Sequence, residues 1–238
     1  GFDKISTFAE NYSFPYYVKH VENNGFKKET DWLEYMITIP QQLDEKVNKI
    51  SELVAKRFKL KDIADSDMSV KQIINKYINQ IFNVVNRAYE SLHGTIPLKG
   101  KVVMDITNAF KLFLLKDFIS VVVNEEDQVI GFGVALSSIT EEIIRCRGKI
   151  TPRSIYRLLK LKHNPKIVEF GLIAILPEYQ KKGVNAIIMN KIHKGLIKRG
   201  ITKAETNLEL ETNSAVLSLW EGADKELIKR RRCYIKQI

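Results

Sequence analysis

Two periods alternate along the chain. Over residues 70–89, Ile73, Ile74, Tyr77, Ile78, Ile81, Phe82, Val85 and Tyr89 recur at three- and four-residue steps, which predicts an amphipathic helix. A second helix is predicted over 104–115. Residues 118–123 and 128–136 are apolar and rich in β-branched side chains. The polar Asn124-Glu125-Glu126-Asp127 between them predicts a hairpin. Gly131 and Gly133 in its second arm mark a bulge or a close backbone approach. Two short helices are predicted over 140–147 and 152–162. The run 167–175 is broken only by Glu169 and Gly171 and bounded by Pro165 and Pro177, as in a buried strand. Ile187, Ile188, Ile192, Leu196 and Ile197 then give a helical stripe, with Lys191, Lys194 and Lys198 opposite and Gly200 as its stop. Residues 201–210 read as a further strand. Glu211-Thr212-Asn213 opens a short helix carrying Ala215, Val216, Leu219 and Trp220, and 231–238 reads as the last strand.

The first 60 residues follow a different rhythm. A short helix over 16–24 ends at Gly25, and a strand over 32–39 stops at Pro40. Residues 1–41 therefore read as the end of a preceding unit. A charged helix, within 42–57, links it to a second unit over 58–238, whose first strand is 58–63 and which carries a helical insertion over 138–165. The chain begins with Gly1 and with residues that already look structured. That suggests the C-terminal part of a longer, two-domain protein.

Composition changes this picture little. The chain has 238 residues, 45% of them hydrophobic, enough for a sizeable core. Two distant cysteines, Cys146 and Cys233, form no metal or redox spacing and fit a reduced, cytoplasmic setting. No apolar run approaches the ~18 residues of a transmembrane helix, so no membrane partner is expected. The net charge of +10 would suit a polyanion, yet the lysines are dispersed and no aromatic-basic ladder appears. Nucleic acid is therefore disfavoured as a partner, and an anionic coenzyme fits the same charge. His93, His163 and His193 are isolated along the chain, and no metal site is expected.

The chemistry concentrates where the strand 167–175 meets the helix after it. Gln180-Lys181-Lys182-Gly183-Val184-Asn185-Ala186 is a short basic loop opening a helix, where backbone N–H groups and the helix dipole can face one anion. This segment resembles the Gln/Arg-x-x-Gly-x-Gly/Ala loop of the GNAT acyltransferase superfamily. Its departure from that pattern is Asn185. The resemblance extends over nearly the whole chain. It includes Asn86-Arg87-Ala88-Tyr89, Val129-Ile130-Gly131-Phe132, Gly148-Lys149-Ile150-Thr151-Pro152 and Arg231-Arg232-Cys233-Tyr234-Ile235-Lys236. Together with Gly1-Phe2-Asp3 and Pro15-Tyr16-Tyr17, these segments are similar to a largely uncharacterised group of two-domain bacterial GNAT proteins.

The resemblance implies an α/β (α+β) fold: a central mixed, mostly antiparallel sheet flanked by helices, with 1–41 as the remnant of a preceding GNAT-like domain. It implies acetyl-coenzyme A as cosubstrate and an N-acyltransferase acting on a small-molecule or peptide amine. A homodimer is compatible with it. Coenzyme contacts are expected from Ile173, Ile175, Gln180, Lys181, Lys182, Gly183, Val184, Asn185, Ala186 and Asn213. Glu169 is the expected base, with Glu205 and Glu209 as weaker candidates. The seventh residue after Asn213, where the family often has a proton-donating Tyr, is Trp220, which cannot serve as that acid. Two readings follow: a working acyltransferase, or a degenerate domain that binds acyl-coenzyme A or a partner without turnover.

Overall fold

The computed structural model describes residues 1–7 and 10–237. Eight strands form one sheet: β1 (Lys27–Thr38), β2 (Lys61–Asp62), β3 (Ile119–Val123), β4 (Val129–Ser137), β5 (Val168–Ile175), β6 (Lys203–Glu205), β7 (Glu209–Leu210) and β8 (Lys225–Ile235). Their order is β2-β3-β4-β5-β6-β1-β7, with β8 also paired to β1. Every pairing is antiparallel except β5 with β6. The helices are α1 (Tyr16–Asn23), α2 (Glu45–Arg57), α3 (Val70–Tyr89), α4 (Lys101–Phe110), α5 (Thr140–Arg145), α6 (Pro152–His163), α7 (Val184–Lys198) and α8 (Ser214–Leu217). The expected mixed, mostly antiparallel sheet with flanking helices is what the chain forms.

Local chemistry accounts for the main helix ends. A reciprocal capping box between Ser69 and Gln72 starts α3, and its apolar stripe buries Ile73, Tyr77, Ile81, Phe82 and Val85. Asp44 caps α2 by accepting from the Lys46 and Val47 N–H groups. Helix α7 lies directly on the hairpin. A Cβ on Gly133 would fall 2.3 Å from Ile188 Cγ2, so the close approach expected at that glycine is made by α7. Helix α3 covers the opposite face, where Phe132 projects among Ile78, Phe82 and Val85.

Several elements differ in extent from the sequence expectation: the helix expected over 104–115 forms over Lys101–Phe110, and the strand expected over 32–39 already begins at Lys27. Residues 201–210 do not run as one strand. Thr206 breaks them by exchanging bonds with Tyr35: its N–H donates to Tyr35 O at 2.8 Å, and its hydroxyl accepts from the Tyr35 N–H at 2.9 Å. Strand β2 is only two residues long because the Asp62 side chain turns the chain into a 3-10 turn over Ile63–Asp65. Strand β8 begins at Lys225 rather than 231, since it pairs with β1 from Lys225↔Ile37 to Ile235↔Lys27.

The β1–β8 ladder explains why charges could hide this strand. Glu34 is wholly buried on β1, accepts from Arg231 Nε at 3.0 Å and pairs with Lys229 Nζ at 2.7 Å. Lys229 also reaches Glu205 at 2.5 Å and Glu10 at 3.7 Å. Burial acts to depress the Lys229 ammonium, but Glu205 and Glu34 outweigh it and raise its pKa. Strand β1 thus sits inside the sheet formed by 61–235, although residues 1–41 read from sequence as a preceding unit.

Candidate functional site

Strands β5 and β6 pair only at Val168↔Ala204 and Glu169↔Glu205, then diverge. A bulge in β5 reinforces the divergence: Gly133 opposes Ile173 while Ala135 opposes Phe170, which leaves one extra residue at Gly171-Leu172. Beyond it, parity decides which backbone groups face the opening. Leu176 N–H donates to Ile130 O on β4, so Ile173 and Ile175 point their polar groups the other way. Their carbonyls accept side-chain donors on that edge, from Tyr89 Oη at 2.9 Å and Gln180 Nε2 at 3.1 Å. Burial pushes the Tyr89 phenol up to about 12, so it stays a donor.

After a 3-10 turn at Pro177–Tyr179, the loop enters α7. Lys181 has φ +59° and Gly183 φ +83°, a left-handed conformation that suits glycine far better than other residues. No side chain caps the start of α7, a 15-residue helix; Ala186 N–H donates to Gly183 O at 3.0 Å, which leaves the Val184 and Asn185 N–H groups to face an anion. Lys181, Lys182 and Asn185 are exposed there, and Ala186 is half-buried. The Val184 side chain is in the core, which leaves only its backbone for binding. Gly183 has a second role that the sequence does not reveal. A Cβ on it would lie 2.9 Å from Val54 Cγ2 on α2, so the glycine also lets α2 pack over the loop. Lys182 Nζ lies over the Tyr179 ring at 5.1 Å and the Phe58 ring at 5.6 Å, which anchors its charge beside the helix end.

Between the diverging strands lies a cavity of about 330 Å³. Ile173, Tyr89, Met189, Asn213, Glu209 and Trp220 are on its walls. Asn213 caps α8, its side chain accepting from the Val216 N–H at 3.4 Å. Trp220 lies tilted against Phe170, with centroids 5.0 Å apart, and donates from Nε1 to Glu209 Oε1 at 2.6 Å. The other Glu209 oxygen is buried without a hydrogen-bond partner among the described residues. Burial drives this carboxyl up to about 7, with the Trp220 bond pulling partly against it. The residue standing where a proton-donating Tyr was expected therefore donates its indole N–H to a buried carboxyl.

A second, apolar cavity of about 280 Å³ lies on the other side of β5, under α3 and α4. The two share Val134, Phe170, Gly171, Leu172 and Asn207, so they meet at the β5 bulge. Glu169 lines only this second chamber. No lysine or arginine pairs with it among the described residues, and Thr140 Oγ1 lies at 3.4 Å. Burial raises its pKa, and the charges of Glu205 and Glu10 raise it further, against a hydrogen bond from Ser138. The expected base thus borders one space, and of the expected coenzyme contacts Ile173 and Asn213 border the adjoining one, while Ile175 and the loop Gln180–Ala186 line neither.

Spacing along the chain reveals no metal set, but the fold brings Glu29, His93 and Cys233 together, with ligand atoms within 4.8 Å of one another. His93 also lies beside Trp32 on the cleft wall, 6.0 Å between centroids. Tyr89 and Trp32 are cleft residues that sequence patterning assigned to the core helix and the first strand. Only the three-dimensional meeting of α3, β1 and β5 exposes their role.

The chain is an α/β protein whose sheet splays between β5 and β6, with a basic loop leading into the α7 N-terminus after β5. Solved structures narrow that class to one fold. A GCN5-related N-acetyltransferase from Sphaerobacter thermophilus superposes with TM-score 0.56 and 10% identity over 92% of this chain and 55% of its own. The glucosamine N-acetyltransferase region of a fungal multi-domain β-N-acetylglucosaminidase gives 0.54 and 10%, over 96% of this chain and 24% of that one. A tandem GNAT protein from the clavulanic acid biosynthesis pathway gives 0.52 and 7%, over 97% and 61%. This chain has the GNAT fold, and it spans less than two thirds of each of these proteins. No protein-family model matches the sequence, and no curated protein does.

Proposed function

We propose that the protein is an N-acyltransferase that uses acetyl-coenzyme A and an amine acceptor. The observation that carries this reading is the succession of three features along one stretch of chain: a half-buried carboxyl at Glu169, the β5 edge that no strand pairs beyond it with buried Glu209 across the cleft, and the α7 N-terminus without a side-chain cap behind Gln180–Gly183. The pantetheine arm lies along Ile173 and Ile175, near Asn213. The pyrophosphate meets the N–H groups of Gly183, Val184 and Asn185, with Lys181 and Lys182 supplying charge; Ala186 N–H is held by Gly183 O.

The thioester carbon then rests at the bulge, where the two cavities join. The acceptor nitrogen attacks it, forming the C–N bond, and its proton passes to Glu169. The C–S bond breaks, and the leaving thiolate takes a proton from neutral Glu209. A carboxyl near 7 is suited to that exchange. Products are the amide and free coenzyme A, and the two carboxyls return to their starting states through solvent.

The second reading, coenzyme binding without turnover, is favoured by two departures from the family pattern: Asn185 in the loop and Trp220 in place of a titratable donor. Release of free thiol from acetyl-coenzyme A in the presence of amines separates the two. Turnover that falls at least 100-fold in Glu169→Gln, with coenzyme affinity unchanged, supports the enzyme. No thiol release with any amine, despite tight coenzyme binding, leaves the second reading.

A further inference from the structure

The chamber under α3 and α4 has a chemistry of its own. Its walls are Ile74, Ile78, Phe82, Ile106, Phe110 and Phe132, with further apolar neighbours. Polar groups lie mainly at the β5 end, where Glu169, Thr206 and Asn207 stand beside Gly171. We propose that this chamber holds the acceptor, and that the acceptor is an amphipathic primary amine with an alkyl or aryl body. The body fills the apolar part, and the nitrogen reaches the Glu169 end next to the bulge. This rests on the acyltransferase reading above.

Size sets the limit. An apolar cavity of about 150 Å³ holds one benzene ring, so a chamber of about 280 Å³ takes a bicyclic aryl group or a chain of roughly eight carbons. Polarity sets the preference. A polyhydroxylated or multiply charged amine would strand its polar groups against Ile78, Phe82 and Phe110, which offer no hydrogen bonds. A long acyl chain on the donor is the competing occupant. It would leave the amine no place beside Glu169, because Glu169 borders this chamber and not the coenzyme cleft.

The test is a homologous series of ethyl-, butyl-, hexyl-, octyl- and dodecylamine, run against lysine and spermidine with saturating acetyl-coenzyme A. Coenzyme binding is measured separately by calorimetry. Each buried methylene is expected to raise kcat/KM by about fourfold, levelling off near eight carbons. In Ile78→Glu and Phe110→Ser, both at half-buried positions, the slope should flatten while coenzyme affinity stays within twofold. A flat series, or a preference for lysine or spermidine, with coenzyme still binding would overturn the acceptor assignment alone. So would octanoyl-coenzyme A outperforming acetyl-coenzyme A while chain length in the amine has no effect. Failure to bind acetyl-coenzyme A at millimolar concentration would overturn the transferase reading and the acceptor role together.

Discussion

Glu209 is the residue whose environment departs most usefully from what its sequence position suggests. It lies in a two-residue strand, is held by an indole N–H, and has its carboxyl pushed up to about 7 by burial. Its cost to folding has a definite sign. The folded-state pKa lies above the ordinary 4.5, so the protonated group contributes stability fully below pH 4.5 and loses it as pH rises through about 7. Glu209→Gln is therefore expected to raise the unfolding free energy at pH 8, by on the order of 3 kcal/mol at most, shifting the denaturant midpoint upward, and to leave pH 4 nearly unchanged. The same variant should lower kcat and remove a descending limb near pH 7 from the pH–rate profile. A midpoint shift equal at both pH values would mean that the carboxyl is not perturbed. Nothing in the strand 201–210 marks Glu209 over Glu205 beforehand. The fold pairs Glu205 with Lys229 and leaves Glu209 beside an indole.

At the scale of elements, legibility depended on whether a segment's burial was apolar. Helix α3 spans Val70–Tyr89, the predicted range, because its stripe and capping residues agree. The β3–β4 hairpin, β5 and α7 also follow their hydrophobic runs. Strand β8 does not, since its inward side chains include Lys229 and Arg231, which read as surface until Glu34 and Glu10 are seen across from them. Removing one partner from such a buried set leaves an uncompensated charge. Lys229→Ala is therefore expected to destabilise the chain by about 3–5 kcal/mol in urea unfolding. A loss below 1 kcal/mol would mean that water screens the cluster. In the loop before α7, Lys181→Ala should weaken acetyl-coenzyme A about fivefold in a titration at low salt and leave the melting temperature unchanged, because the side chain is exposed. Unchanged affinity would remove Lys181 from the phosphate site.

Over the whole molecule, the strand that looked like the tail of another unit lies in the middle of the sheet. Strand β1 pairs with β6 and β7 on one side and with β8 on the other. Sequence patterning could read that Trp32–Ile39 is a strand, but not which sheet receives it, because pairing between residues some 200 positions apart leaves no local signal. A chain of residues 42–238 lacks that strand and exposes two edges with unpaired backbone groups. It should fail to give a cooperative unfolding transition, and adding residues 1–41 as a separate peptide should restore it. A cooperative 42–238 without the peptide would contradict the shared sheet. The β1–β8 ladder also sets acid tolerance. Arg232 and Lys28 hold Asp31 down to about 2, so its contribution is present above 3.8 and lost only as pH falls toward 2.

The central claim is that the cleft between β5 and β6, ending at the α7 N-terminus, takes a coenzyme A thioester. Calorimetric titration of acetyl-coenzyme A into the protein tests it most directly, with a matched titration of acetyl-pantetheine, which lacks the pyrophosphate and nucleotide. A one-to-one complex with Kd between about 1 µM and 1 mM is expected. Acetyl-pantetheine should bind at least tenfold more weakly, because the helix terminus and lysines would have no phosphate to meet. Absence of heat with millimolar acetyl-coenzyme A, or equal affinity for the two ligands, would contradict the assignment of that cleft.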